Sequence, residues 1–168
     1  MVTKKKLLKN KTPVGWREWL GLPELGLPAI KAKIDTGAKT SSLHAFNISI
    51  VEKDERKYAS FDIHPLHGNK TITVTCLAPL VDRRYVTDSG GHRELRYVIK
   101  TPLMVGENLI NIEITLADRE TMAFRMLLGR QAMQLAGMVV LPARSMLLGK
   151  NTEEEILEIY EEYYDIEN

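Results

Sequence analysis

The run Ile34-Asp35-Thr36-Gly37-Ala38 puts a carboxylate at the tip of an apolar segment, followed by a small hydroxyl and a glycine. Each residue type has a use in hydrolysis. Asp35 can take a proton from water or hold one for a leaving group. Thr36 can hydrogen-bond to neighbouring backbone and lock the loop. Gly37 has no Cβ, so backbone or substrate can approach closely. The same tripeptide also suits an Asx-turn that closes a hairpin, so these residues alone leave a catalytic and a structural reading open. Two further glycine-marked runs accompany it. Val86-Thr87-Asp88-Ser89-Gly90-Gly91-His92 reads as a hairpin tip between strands. Phe124-Arg125-Met126-Leu127-Leu128-Gly129-Arg130 reads as an apolar strand, a glycine and a helix start.

The elements that carry these residues read mostly as strands. Residues 14–20 form an apolar run with Val14, Trp16 and Trp19, the two tryptophans being suited to core and sheet-edge packing. Arg17 and Glu18 fall on opposite faces of that strand and need not pair. Pro23-Glu24-Leu25-Gly26 punctuates a turn. Residues 28–34 then alternate Ile30, Ala32 and Ile34 against Lys31 and Lys33, the period of a half-buried strand. This hairpin delivers its second strand into Asp35. Further strand-like runs occupy 42–50, 57–63, 70–77, 81–87, 94–100, 109–116 and 121–127, rich in Val, Ile, Thr and Tyr. A short helix is expected over Arg130–Ala136. A second starts at Thr152, where Glu155 completes a capping box, with Ile156, Ile159, Tyr160 and Tyr163 as its apolar stripe. Met126-Leu127-Leu128-Gly129-Arg130 is echoed by Met146-Leu147-Leu148-Gly149-Lys150, which reads as a second buried strand ending at a glycine. The expected fold is mainly β, a closed or barrel-like sheet with two short helices.

Composition bounds the class of protein. With 168 residues and 44% apolar content the chain suits one domain around one core and is too apolar for disorder. No run of 18 apolar residues spans a membrane, and only Leu7 and Leu8 follow the first lysines, so no secretory signal is expected. The lone Cys76 forms no internal disulfide and reads as a buried small hydrophobe. A cytoplasmic location follows as the expectation. Charge is uneven. Residues 1–11 hold five lysines and no acid, whereas residues 152–168 hold eight acids and no base. The reading is a basic flexible tail over 1–12, a domain over 13–150 and an acidic helix over 151–168. The part between the two ends is only mildly basic, so a nucleic-acid partner is not expected. Nor is a metal or other cofactor. There is no His-Glu-x-x-His and no Cys-x-x-Cys, and His64-Pro65-Leu66-His67 carries a proline that breaks a helical ligand pair. His44, His64, His67 and His92 read as loop or surface histidines. No phosphate-cradling glycine loop is present.

The order of strand, Asp-Thr-Gly-Ala, glycine-tipped hairpin and Leu-Leu-Gly-Arg resembles the retropepsin-like aspartic peptidases. More closely the chain resembles a bacterial family often labelled "ATP-dependent zinc protease". The resemblance rests on Gly15-Trp16-Arg17-Glu18-Trp19, on Lys33-Ile34-Asp35-Thr36-Gly37-Ala38-Lys39-Thr40-Ser41-Ser42-Leu43-His44-Ala45 and on Leu127-Leu128-Gly129-Arg130, over about residues 14–142. It implies an acid-protease barrel and an aspartic endopeptidase in which Asp35, Thr36 and Gly37 form the catalytic loop. It also implies a substrate-binding set of Ala38 and a flap tip of Ser89, Gly90 and Gly91. Arg93 and Arg96 flank that tip with Arg83, Arg84 and His92, where they suit carboxylate-rich substrates or else pair locally with Asp82, Asp88 and Glu94 on a solvated hairpin. Leu128, Gly129 and Arg130 take a structural role, with Arg130 where an intersubunit ion pair would lie. Lys33 departs from the apolar residue usual in viral relatives. Two carboxyls are needed to hydrolyse an amide with water, and one chain supplies one Asp-Thr-Gly. The expectation is therefore a homodimer in which two Asp35 side chains meet across a two-fold axis. Such proteins are often encoded beside glutamate ligases acting on a ribosomal protein, which implies a peptide or protein substrate with an oligoglutamate tail. Three other readings remain: a dimer of the same kind that binds peptide without catalysis, a zinc-dependent peptidase, and a ribosome-associated factor that uses the basic tail.

Overall fold

The computed structural model describes residues 3–66, 70–88, 90–118 and 123–165. Ser89, His67 and the first residues of the expected 121–127 strand lie outside them. In chain order the elements are α1 (Lys4–Leu8), β1 (Thr12–Val14), β2 (Arg17–Leu22), β3 (Leu27–Ile34), β4 (Ser41–His44), β5 (Phe46–Lys53), β6 (Arg56–Ile63), β7 (Val74–Thr87), β8 (Arg93–Val105), β9 (Asn108–Ala117), β10 (Met126–Leu128), α2 (Arg130–Ala136), β11 (Met138–Val140) and α3 (Glu153–Tyr163). The chain is mainly β. Among the described residues nine strands form one sheet in the order β2-β3-β10-β4-β9-β8-β7-β6-β5, and β1 pairs with β11 in a separate ribbon. Gly21 of β2 also pairs with Met104 of β8, so the sheet curls until those two strands meet.

The β2–β3 hairpin turns as the sequence dictates. Pro23 opens a single turn of 3-10 helix and Gly26 closes it at φ +73°, a conformation that costs glycine nothing. Alternation along β3 buries Ala32 and Ile34 and leaves Lys33 exposed. The apolar side of the curled sheet holds the core, where Ile30, Leu43, Ile99, Leu103, Ile114, Met126 and Leu128 are fully buried.

Several expected strands are partitioned differently. Residues 70–73 form no strand, and the rest of the 70–77 run is continuous with 81–87 in one strand, β7 (Val74–Thr87). Its first half pairs with β6 and its second with β8, and a bulge between Leu80 and Asp82 bends it from one partner to the other. Run 42–50 is two strands. β4 lies between β10 and β9, while β5 pairs with β6 after a register shift at Asn47, whose φ is +52°. Run 14–20 breaks at Gly15, where a Cβ would fall 2.3 Å from the Arg144 carbonyl oxygen. Residues 146–150 form no strand; Met146 sits at φ +56° and the next two amides bond a side chain instead.

The helix over Arg130–Ala136 forms as expected, and α3 starts with the full Thr152–Glu155 capping box. Its stripe is narrower than expected. Ile156 and Tyr160 are fully buried in the main core and Leu157 packs partly against it, whereas Ile159 and Tyr163 are exposed. The Tyr160 hydroxyl donates to the Ala29 carbonyl, and Lys31 pairs with Glu153 at 2.9 Å. At the other end, Lys4–Leu8 form a short helix that buries no residue. No helix among the described residues is long and apolar enough to cross a membrane.

Candidate active site

Asp35 stands at the end of β3, half-buried, beside a strand that comes from almost a hundred residues later. β10 lies parallel to β3, with Leu128 opposite Ile34, and antiparallel to β4, with Leu127 opposite Ser42. The Asp35 amide donates to the Leu128 carbonyl at 2.9 Å. Oδ1 of Asp35 accepts from the Gly37 amide at 2.9 Å, and the Ala38 amide donates to the Asp35 carbonyl at 3.3 Å. The Asx-type turn of the structural reading is present, but it closes no hairpin, because β10 lies between β3 and β4. That turn uses one carboxylate oxygen and fixes where the other one points.

The loop is clamped from the α2 side. The amides of Arg130 and Gln131 donate to the carbonyls of Ala38 and Lys39 at 2.8 and 3.0 Å. The Arg130 guanidinium donates through Nη1 to the Thr36 carbonyl at 2.8 Å. Here the locking bond runs from Arg130 to the backbone of Thr36 within one chain, and the Thr36 side chain is exposed. The Gly129 amide donates to Ser41 Oγ at 3.0 Å, and a Cβ on Gly129 would lie 2.6 Å from the Thr40 carbonyl carbon. Glycine is thus dictated by close approach of two backbones. Asp35, Thr36, Gly37, Ala38, Leu128, Gly129 and Arg130 come together as one knot.

The hairpin residues are placed separately. The Asp88 carboxylate accepts from the amides of Gly90 and His92, each at 2.9 Å, and shapes the tip of β7–β8. Gly91 takes φ +83° there and is exposed. Arg93 lies 4.2 Å over the Tyr85 ring on the hairpin surface. Arg96 departs from the solvated-hairpin reading. It is 7% exposed, and its Nη1 reaches Ser42 Oγ at 3.4 Å and Thr115 Oγ1 at 3.5 Å, while Nε meets Glu94 at 3.2 Å. Beside it Arg84 bridges Asp82 and Glu113 at 2.8 and 3.0 Å. Burial works against the Arg84 charge, but bonds from Glu113 and Asp82 outweigh it and hold its pKa above the ordinary value. The Arg83 amide, then the Arg84 side chain, keep Asp82 below the usual carboxylate range.

Sequence reasoning missed Glu18. It is fully buried, and its carboxylate accepts from the amides of Gly15, Leu147 and Leu148 at 2.6, 2.9 and 2.9 Å. The signal was its place in Gly-Trp-Arg-Glu-Trp. Trp16 is 38% exposed, edge-on to Phe124 and stacked by Arg17, rather than in the core. His44 is buried within β4, not on a loop or at the surface. Cys76 is buried as expected, and burial first, then the Asp62 charge, push its thiol up to about 12. Among the described residues no three His, Cys, Asp or Glu side chains group as metal ligands would.

Comparison with known proteins follows this geometry. A protein from Desulfotalea psychrophila described as "Probable alpha-L-glutamate ligase" is 44% identical over 147 residues, 88% of this chain and 32% of that protein. One of the same description from Parasynechococcus marenigrum is 43% identical over 153 residues, 91% of this chain and 33% of its own length. The chain thus spans about a third of the length of these relatives. A crystal structure of a Legionella pneumophila protein of unknown function superposes with a TM-score of 0.68 at 28% identity, over 83% of this chain and 99% of that one. The family profile described as "Retropepsin-like aspartic endopeptidase RimB" matches residues 13–151, and this chain, with its Asp-Thr-Gly and Leu-Leu-Gly-Arg knotted together, belongs to that RimB-like family.

Proposed function

We propose that the chain is an aspartic endopeptidase that works as a homodimer in the cytoplasm. The observation that carries this reading is the position of Asp35: half-buried at a strand end, with Oδ1 engaged by the Gly37 amide and the loop clamped by Arg130. A carboxylate held this firmly loses little freedom on reaction, which is the condition for positioned acid–base catalysis.

Two such loops facing each other across a two-fold axis supply two carboxyls at close range. Two carboxyls so near cannot both ionise easily, so they share one proton. The ionised carboxylate takes a proton from water as the oxygen attacks the peptide carbonyl carbon. The protonated carboxyl gives its proton to the carbonyl oxygen. The tetrahedral gem-diol collapses and the C–N bond breaks; the departing nitrogen takes the proton that came from water, and one hydroxyl of the gem-diol returns a proton to the other carboxylate, which restores the shared-proton pair. The β7–β8 hairpin serves as a flap that closes over substrate and excludes bulk water. The curled sheet, in this reading, is the family's barrel.

The substrate proposed is a peptide or protein carrying an oligoglutamate tail. Relatives described as glutamate ligases contain a region like this chain in about a third of their length, which supports a glutamate-bearing substrate. The test is cleavage of a peptide ending in glutamates, followed by mass spectrometry, with Asp35→Asn as the paired variant. The reading expects turnover by the parent and background only from the variant, with fold and association unchanged. Near-normal cleavage by Asp35→Asn would remove it.

A further inference from the structure

Strand register carries one row of side chains from the catalytic loop to the hairpin. Side chains alternate along a strand, and residues paired across strands share a face. Lys33, one period before Asp35, pairs with Leu127; Leu127 pairs with Ser42, and Ser42 with Thr115. Thr115 pairs with Val98, two residues along β8 from Arg96, and Arg96 pairs with Arg84. The bonds from Arg96 to Ser42 and Thr115 agree with that register. Arg83 lies on the opposite face of the hairpin, 5.8 Å over the Tyr97 ring.

Arg96 is an unusual group to bury. A guanidinium keeps its charge, and an apolar setting does not stabilise it. Two neutral hydroxyls steer it at 3.4 and 3.5 Å, and its carboxylate partner, Glu94, is 45% exposed on the hairpin. These contacts use Nε and Nη1 and leave Nη2 out. The cation is therefore fixed and largely stripped of water, while its counter-ion stands at the surface where another carboxylate can replace it. Arg84, one strand on, differs: it is 34% exposed and already bridges two carboxylates, Asp82 and Glu113.

We propose that Arg96, seated by Ser42 and Thr115, is the residue that selects acidic side chains in this cleft. It takes a substrate glutamate in exchange for Glu94. This inference rests on the peptidase reading for its biological meaning, but binding tests it apart from turnover. The probe is hexaglutamate, titrated calorimetrically into the full chain carrying Asp35→Asn, with hexaglutamine as the neutral comparison.

Losing a hydrogen-bonded charge pair here should weaken hexaglutamate binding roughly 10- to 100-fold in Arg96→Met, and Arg83→Met should stay within about twofold of the parent. Removing the internal competitor with Glu94→Gln should tighten binding, and the gain should vanish when Glu94→Gln is added to Arg96→Met, a coupling that a merely structural role of Arg96 does not produce. Should Arg96→Met fail to fold, Glu94→Gln decides the matter, since unchanged or weaker affinity there overturns the proposal. Equal loss in Arg83→Met and Arg96→Met overturns it too, as does equal binding of hexaglutamate and hexaglutamine by the parent. Binding that follows the expected pattern without cleavage by the Asp35 form would sink the peptidase reading and leave the Arg96 assignment standing.

Discussion

The backbone amide of Asp35 donates to the carbonyl of Leu128 at 2.9 Å, and this single bond joins two motifs 93 positions apart in the sequence. The carboxylate is positioned by a strand that the chain adds near its end, so the site forms only when the sheet is complete. Gly129, directly after that strand, decides how closely the two loops can meet.

Gly129→Ala tests the close approach. A Cβ there would sit 2.6 Å from the Thr40 carbonyl carbon and 2.9 Å from the Lys39 and Thr40 oxygens, all backbone atoms. Relief requires moving the clamp on the Asp35 loop. We expect a loss of about 1–3 kcal/mol in urea unfolding, together with a fall in activity larger than the unfolded fraction accounts for. A fully stable and active variant would show that the contact is not tight.

Glu18→Gln probes the tether of the 144–148 segment. One buried carboxylate serves three amides, and the amide side chain offers only one oxygen to them. The expected cost is about 1.5–3 kcal/mol in urea unfolding. Peptide affinity should change little, because Glu18 lies away from the row that carries Arg96. Unchanged stability would contradict the tether.

Alkaline pH should destabilise the fold, and the sign follows from protons. Burial pushes the Cys76 thiol from 9.0 up to about 12, and burial also raises the Tyr160 hydroxyl. The unfolded chain releases these protons at lower pH than the folded one. Their contribution is whole below the unfolded values and is lost as pH climbs through the folded ones. Cys76→Ala should flatten the decline between about pH 9 and pH 11 by up to about 1.4 kcal/mol per pH unit, read from urea midpoints. An identical slope in that variant would contradict the burial argument.

Salt should slow cleavage of glutamate-rich peptides. Raising ionic strength from about 0.01 M to about 1 M shortens the screening length from about 30 Å to about 3 Å. The expected change is a rising KM with kcat nearly constant, since encounter and binding carry the charge effect. Equal salt response on a neutral peptide would remove electrostatics from the account.

What the sequence made legible was local. The Pro23–Gly26 turn, the alternation into Asp35, the α2 start after Gly129 and the Thr152–Glu155 box each depend on neighbours a few residues apart. Asp35 and Gly129 could be named for the same reason. Glu18 was not legible, because two of its three amides come from residues 147 and 148. Arg96 looked like one more hairpin arginine, since its burial follows only from register across β8, β9 and β4. Runs 70–77 and 81–87 looked separate because Pro79 resembles a strand breaker; in the structure it sits beside the bulge where β7 changes partners. The echo at Met146 misled because composition carries no information on a left-handed backbone.

The central claim is that two Asp35 carboxyls, one from each subunit, form a single catalytic site. Co-expressing the parent with Asp35→Asn chains and purifying the mixed population tests it most directly. With equal amounts of the two chains and random pairing, the account predicts activity per total protein of about one quarter of the parent, because only doubly parental dimers work. Activity of one half, falling in simple proportion to the parental share, would contradict it.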